Sequence, residues 1–325
     1  MLKLLMRTFV GAALCGAYSI HAAESYPSRP IRLIVPFLAG GAADIIARLL
    51  ANAMASGLNA QFVVDPRPGA GTVLGTDIAA RANPDGYTLI LVATAHATNP
   101  ALVGKLPYHS LNDFAPITLA VDTPLVIVVP TALPATNMRE LIDLAKSRPQ
   151  RLNYGSAGQG TSGHLAMELL SLKTGVTMTH IPYKGASQAL LDLIGAQIQV
   201  VCTSTLPALP HVRSGQLRAL AVTTANRSRA VPEIPTVAEA VPLPGFRASS
   251  WYALLAPART PPAIIYRLHA AATRALRSPA LTEPLLAQGA DPIGNTPDEL
   301  RQFLRTEIDV WTTVIRQAKV KPGAR

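Results

Sequence analysis

Two small-residue loops hold the residue types best suited to binding chemistry. The first, Val35-Pro36-Phe37-Leu38-Ala39-Gly40-Gly41-Ala42-Ala43-Asp44, joins an apolar β-branched run to an amphipathic stretch. With few side chains in the way, its backbone N–H groups can point into a cleft at a helix N-terminus, where free donors and the positive dipole end favour an anion. Asp44 itself reads better as a group serving its own helix start than as a ligand contact. The second loop, Asn153-Tyr154-Gly155-Ser156-Ala157-Gly158-Gln159-Gly160-Thr161-Ser162-Gly163-His164, combines glycines for close backbone approach with hydroxyl donors. That equipment grips a carboxylate without a full opposing charge. The plainer alternative for both loops is a tight turn that caps the next helix. Thr94, His96 and Asn99 form a third polar group, in a loop after a strand, on the side where open α/β sheets bind ligands. Turn and cap chemistry would explain them equally well.

Other chemistries find less support. The seven histidines lie singly, with no His-Glu-x-x-His spacing for a metal and no Gly-x-Ser-x-Gly elbow for a nucleophile. Ser156 and His164 could cap a helix as readily as exchange a proton, which leaves a secreted hydrolase as a minor alternative. Gly158, Gly160 and Gly163 match the spacing of a dinucleotide fingerprint. The preceding strand is short and polar, however, and the region near Tyr183 lacks the acid that would hold a ribose. No cofactor or metal is expected.

These loops need a scaffold of alternating strands and helices. The chain reads as Ile31 to Val35 strand, Asp44 to Ser56 helix, Gln61 to Val64 strand, a helix to about Arg81, and Tyr87 to Ala93 strand. Phe114 to Val121 and Leu125 to Val129 read as two strands broken by Asp122-Thr123-Pro124, where the chain is expected to cross between lobes. Helices follow at Met138 to Ser147, Thr161 to Lys173 and Ala186 to Gly195, with strands at Leu152 to Gly155, Met178 to Ile181, Ile198 to Cys202 and Leu217 to Thr223. Trp251 to Ala256 is an apolar strand. The last helix has Thr296, Pro297 and Glu299 as its start signals and core positions through Trp311 to Ile315. The expected class is α/β with two lobes, each a mainly parallel sheet flanked by helices, and a ligand cleft between them. Residues 24–121 with 226–325 would form one lobe and 122–225 the other.

Length and composition agree with that picture: 325 residues, 49% hydrophobic and 15% charged, can bury a substantial core. Residues 1–23, with Lys3 and Arg7 before an apolar stretch from Phe9 to Ile20, read as a secretory signal peptide. Its removal takes Cys15 and leaves Cys202 alone, so no intramolecular disulfide can form. The formal net charge of +10 falls by the two leader positives to +8 and favours anionic ligands or partners. Nucleic acid is a poor fit, because the basic residues are scattered and aromatics are only 5%.

Several ordered segments carry a family resemblance. They are Tyr26-Pro27-Ser28-Arg29-Pro30-Ile31, Val35-Pro36-Phe37 with Gly40-Gly41 and Asp44, Arg67-Pro68-Gly69-Ala70-Gly71, Pro84-Asp85-Gly86-Tyr87-Thr88-Leu89, Asn153-Tyr154-Gly155-Ser156, His180-Ile181-Pro182-Tyr183-Lys184-Gly185, Leu217 to Thr223 and Pro235-Thr236-Val237-Ala238-Glu239. Together they resemble the Bug receptors, the extracytoplasmic solute-binding proteins of tripartite tricarboxylate transporters. The resemblance implies a periplasmic two-lobed fold that closes over a small organic carboxylate, often through ordered water. It also implies delivery to a membrane permease of one large and one small subunit; the receptor itself is expected to be a monomer. Service to a sensor system rather than a permease stays open. Binding positions carry over to the backbone of Gly41, Ala42 and Ala43 and to Ser156, Gly158, Thr161 and Ser162; Phe37, Thr94, His96 and Thr203 complete the expected ligand-binding set. The chain departs from the family at Ala39 (usually Pro), Ala43 (commonly Ser or Thr) and Thr203 (often Asp). Loss of that acid makes a plain mono- or dicarboxylate a better expectation than an amino acid.

Overall fold

A computed structural model describes residues 26–320 apart from Lys184 and Gln288. The expected leader, residues 1–23, lies outside the described residues. The first half runs β1 (Ile31–Val35), α1 (Ala42–Leu58), β2 (Phe62–Pro66), α2 (Val73–Ala80), β3 (Thr88–Ala93), α3 (Ala95–Leu102) and β4 (Phe114–Pro130). It continues with α4 (Met138–Ser147), β5 (Asn153–Ser156), α5 (Ser162–Thr174), β6 (Thr179–Pro182), α6 (Ala186–Ile194), β7 (Val200–Ser204), α7 (Thr205–Arg213) and β8 (Leu217–Val222). The remainder is α8 (Val237–Ala240), β9 (Ser249–Pro257), α9 (Pro262–Arg277), α10 (Pro279–Ala287), β10 (Asp291–Pro292) and α11 (Pro297–Gln317).

The local logic is visible in α1. Ile46, Ala47, Leu50, Ala51, Met54 and Leu58 recur at helical spacing and are all buried, so one stripe faces the sheet. Asn59, in the left-handed conformation at φ 50°, ends the helix. At the other end of the chain, α11 buries Leu300, Leu304, Trp311, Val314 and Ile315 on one face. Glu307 is buried with them and accepts the indole N–H groups of both Trp251 and Trp311, which satisfies a carboxylate that burial would otherwise penalise.

The strands run β2-β1-β3-β9-β4-β7-β5-β6 side by side, with β8 and β10 also paired to β4. Parallel pairing joins β1 to β2 and β3, and β5 to β6 and β7. Every pairing made by β4 or β9 is antiparallel, so the sheets are mixed rather than mainly parallel. The cause is β4, a single strand of 17 residues where the sequence pattern suggests two. Asp122, Thr123 and Pro124 stay in register with Trp251, Ser250 and Ser249 of β9, and from Leu125 the strand pairs with β7 instead. Pro124, which has no N–H to donate, therefore sits at the handover between partners, where a central strand tolerates it.

Strand β4 passes from one half of the sheet to the other at this handover. Val231 and Ile234 share a core cluster with Val126, Val128 and Val201, and Thr236 bridges Val222. Residues 226–248 touch both halves, since the Arg229 N–H donates to Asp291 and Arg247 faces Glu307 and Phe303 of α11, before Ser249 pairs with β4.

Candidate ligand cleft

The strand ends and the loop between β5 and α5 border an open cavity of about 300 Å³, whose walls include Phe37, Thr94, Thr98, Gly160, Ser162 and Tyr252. A second cavity of about 100 Å³ shares Ser250 and Tyr252 with it and is bounded by Ala42 and Ile45 on α1 and by Ser204 and Leu206 at the start of α7. None of the residues lining either cavity carries a charge. Two wider surface recesses, of about 390 and 410 Å³, lie away from both signature loops.

What faces these cavities is a set of helix starts. Helix α1 begins after Gly41 with no side-chain cap, and its first internal bond is Ile45 N–H to Gly41 O. The N–H groups of Ala42 and Ala43 therefore stay outside the helical ladder. Helix α3 begins after Thr94, also uncapped, because the Thr94 hydroxyl donates to Ser249 O at 3.3 Å and so ties the helix start to β9. Helix α5 begins after Thr161, whose hydroxyl turns back to donate to Gly158 O at 2.7 Å instead of capping. Its ladder starts at Leu165 N–H to Thr161 O, leaving the N–H groups of Ser162, Gly163 and His164 outside it. Helix α7 follows Ser204, again without a side-chain cap. Four helix starts thus present donors and positive dipole ends towards an uncharged cleft, the arrangement that receives an anion.

Backbone geometry explains the glycines of the β5–α5 loop. Gly158 and Gly160 have φ of +138° and +73°, a region that side chains disfavour. A Cβ on Gly163 would come within 2.1 Å of the Cys202 carbonyl oxygen, so the close seating of α5 on β7 requires glycine there. The spacing that resembles a dinucleotide fingerprint is accounted for by these two demands. Ser156 is fully buried and lines neither cavity. Its hydroxyl donates to Gly158 O, accepts the Gly158 N–H and meets His180 Nε2 at 2.8 Å. That serine is occupied in shaping the loop.

The residues singled out in the sequence are distributed unevenly. Phe37, Thr94, Thr161 and Ser162 line the larger cavity, and Ala42 lines the smaller. Gly41 is exposed at the mouth of α1, Ala43 and Thr203 are buried, Ser156 is buried behind the loop, and Gly158 lies within the loop but lines neither cavity. His96 turns away: its Nε2 lies 2.8 Å from Ser110 O, Phe114 meets its ring edge-on, and burial pulls its pKa down to about 4. The segment expected to be a loop there is helix α3, and Asn99 on it donates to Gly71 O and Thr72 Oγ1 rather than to the cleft. Asp44 holds its own loop, accepting Arg48 Nε at 3.0 Å and Gly40 N–H at 2.9 Å, and these bonds keep its carboxyl below the usual range. Sequence reasoning passed over Ser250 and Tyr252, which line both cavities. The only available hint was a hydroxyl pair, Ser249-Ser250, and a tyrosine at the head of a strand that otherwise reads as apolar core.

Comparison with known proteins shows the family of the chain. A family model described as "Tripartite tricarboxylate transporter family receptor" matches residues 46–320. The protein BugT of Bordetella pertussis is 39% identical over 323 residues, covering 99% of each chain. Among solved structures, an R. palustris protein with adipate is 34% identical with a TM-score of 0.74, over 91% of this chain and 99% of the other. MatC from Rhodopseudomonas palustris with bound malate is 33% identical with a TM-score of 0.69, over 89% of this chain and all of the other.

Proposed function

The chain belongs to the tripartite tricarboxylate transporter receptor family, and from that premise we propose that its cleft captures a small carboxylate, with dicarboxylates preferred over amino acids. The observation that supports this reading is the uncharged cavity bordered by open helix starts. One carboxylate would take the N–H groups at the start of α5 with those of α3 nearby, and a second would reach those of α1 and α7 past Tyr252. Phe37, Ala93, Ala95 and Tyr252 offer apolar walls suited to the methylenes between two such groups. The adipate and malate present in solved structures of two relatives are of that chemical class. No acid lines either cavity, so the ammonium of an amino acid would find no charged partner there.

In this reading the two halves of the sheet act as lobes that close over the ligand, hinged where β4 hands over at Pro124 and where the chain returns at Ser249. The closed receptor, working as a monomer in the periplasm after export, would present its cargo to a permease of one large and one small subunit. The test is a thermal-shift panel on protein stripped of co-purified ligand by unfolding and refolding. A ligand at 100 times its Kd stabilises the native state by about 2.7 kcal/mol. Clear shifts with four- to six-carbon dicarboxylates, larger than with aspartate or glutamate, are expected. No shift with any carboxylate would overturn the reading, and larger shifts with acidic amino acids would overturn the stated preference.

A further inference from the structure

Behind the β5–α5 loop stand a buried histidine, His164, and a half-buried one, His180, and neither lines either cavity. His164 of α5 and His180 of β6 stack with ring centroids 3.8 Å apart and planes 9° from parallel, and Tyr154 of β5 continues the stack 4.9 Å from His180. Each ring gives a different nitrogen to the loop. His164 Nδ1 accepts the Gly160 N–H at 2.9 Å, so its proton resides on Nε2, facing Glu168 Oε1 at 3.7 Å. His180 Nε2 meets the Ser156 hydroxyl at 2.8 Å, and that hydroxyl grips both the N–H and the carbonyl of Gly158. Gly158 O also takes the Thr161 hydroxyl, and Gly160 and Thr161 line the larger cavity.

We propose that His164 and His180 are positioning residues for ligand capture, a neutral stacked pair that holds the backbone of residues 158–162 so that the start of α5 opens onto the cavity. This rests on the cleft being the ligand site. The hydrogen bond from Gly160 requires an unprotonated Nδ1, and burial, which draws both imidazoles down to about 4, keeps them neutral near pH 7. Neither ring touches the ligand space, so the pair acts through the loop.

Because the two rings use different positions, different amides can replace them. The Asn Oδ1 falls near the place of Nδ1, whereas the Gln amide reaches the place of Nε2. H164N and H180Q therefore keep the bond to the loop, and H164Q and H180N lose it. Two readouts are compared: calorimetric affinity for the dicarboxylate giving the largest thermal shift, and amide exchange of residues 156–162 in ligand-free protein against that of α4. H164Q and H180N are expected to weaken binding on the order of tenfold, the weight of one hydrogen bond, and to speed loop exchange while α4 is unchanged. H164N and H180Q should stay within about threefold of the parent protein. A pair that only fills space would rank Asn and Gln in the same order at both positions, and that result, or equal behaviour of all four variants, overturns the proposal. Failure of the parent protein to bind any carboxylate would refute the ligand-site reading instead, and the loop exchange in ligand-free protein would still decide the role of the pair.

Discussion

The helix starts around the cleft and those remote from it are built differently. At α4, Asn137 accepts the Glu140 N–H and Glu140 reaches back to Thr136 N–H. At α8 and α11, Thr236 with Glu239 and Thr296 with Glu299 form complete capping boxes. In contrast, α1, α3, α5 and α7 start at Gly41, Thr94, Thr161 and Ser204 with no side-chain cap, although three of those residues carry a hydroxyl. Thr94 and Thr161 direct that hydroxyl to a carbonyl instead, at Ser249 and Gly158. An open start alone is not diagnostic, since α6 and α9 also lack side-chain caps. The informative combination is an open start facing an uncharged cavity. At α4, α8 and α11 the chain supplies its own acceptor; at the four starts beside the cleft, the proposed reading has the ligand supply it.

The comparison breaks most visibly if the chain is made to fill that place. Ser162→Asp puts a carboxylate at the first turn of α5, where it satisfies the dipole by about 0.3–1 kcal/mol in the ligand-free protein. The same charge repels an incoming carboxylate and takes its donors, so affinity should fall by about 100-fold or more, measured by calorimetry, while the melting temperature holds or rises. A fall in both would show that Ser162 serves stability rather than binding.

The reciprocal change concerns a remote start. Thr296→Ala removes the α11 capping box and should cost about 1 kcal/mol in denaturant unfolding with no change in affinity. An altered affinity would show that the two kinds of helix start are not separable.

A smaller effect separates the regions by pH. His96 of α3 and His164 and His180 beside the α5 loop are held neutral by burial, with pKa values lowered to about 4 from an ordinary 6.5. The unfolded chain then binds more protons than the native one between those values, so stability is full above about pH 6.5 and is lost as pH falls towards 4. The capping acids Glu140, Glu239 and Glu299 are each held below their ordinary value, chiefly by the backbone N–H of Thr136, Thr236 and Thr296. Their contribution is present above about pH 4.5 and is lost only as pH falls further. Amide exchange measured from pH 7 downward should therefore loosen the loop before α5 ahead of the starts of α4 and α11. Simultaneous loosening would remove the distinction.

Much of this was legible in the chain because it is local. Asn137 with Glu140, and Thr296 with Pro297 and Glu299, announce α4 and α11 within four residues, and the glycines at 158, 160 and 163 announce a loop that approaches something closely. What was missed depends on distant partners. Helix α3 contains His96, Thr98, Asn99 and Pro100, a run of weak helix formers, and it holds because α11 packs against it and Thr94 is tied to β9. The 17-residue β4 survives Pro124 because its neighbours change there. Helix α7 begins Thr205-Leu206-Pro207 and carries Pro210 inside, so its pattern did not read as a helix. The histidine stack joins residues from α5 and β6 with Tyr154 of β5, and nothing in their spacing foretells it.

The assignment of open helix starts to the ligand is tested most directly by titrating 15N-labelled protein with the dicarboxylate that gives the largest thermal shift. The amide signals of Ser162 and Gly163 at α5, together with Ala95 at α3, are expected to move downfield at saturation while those of Arg139 at α4 and Asp298 at α11 stay still. Saturable binding that leaves the α5 signals in place would contradict the assignment.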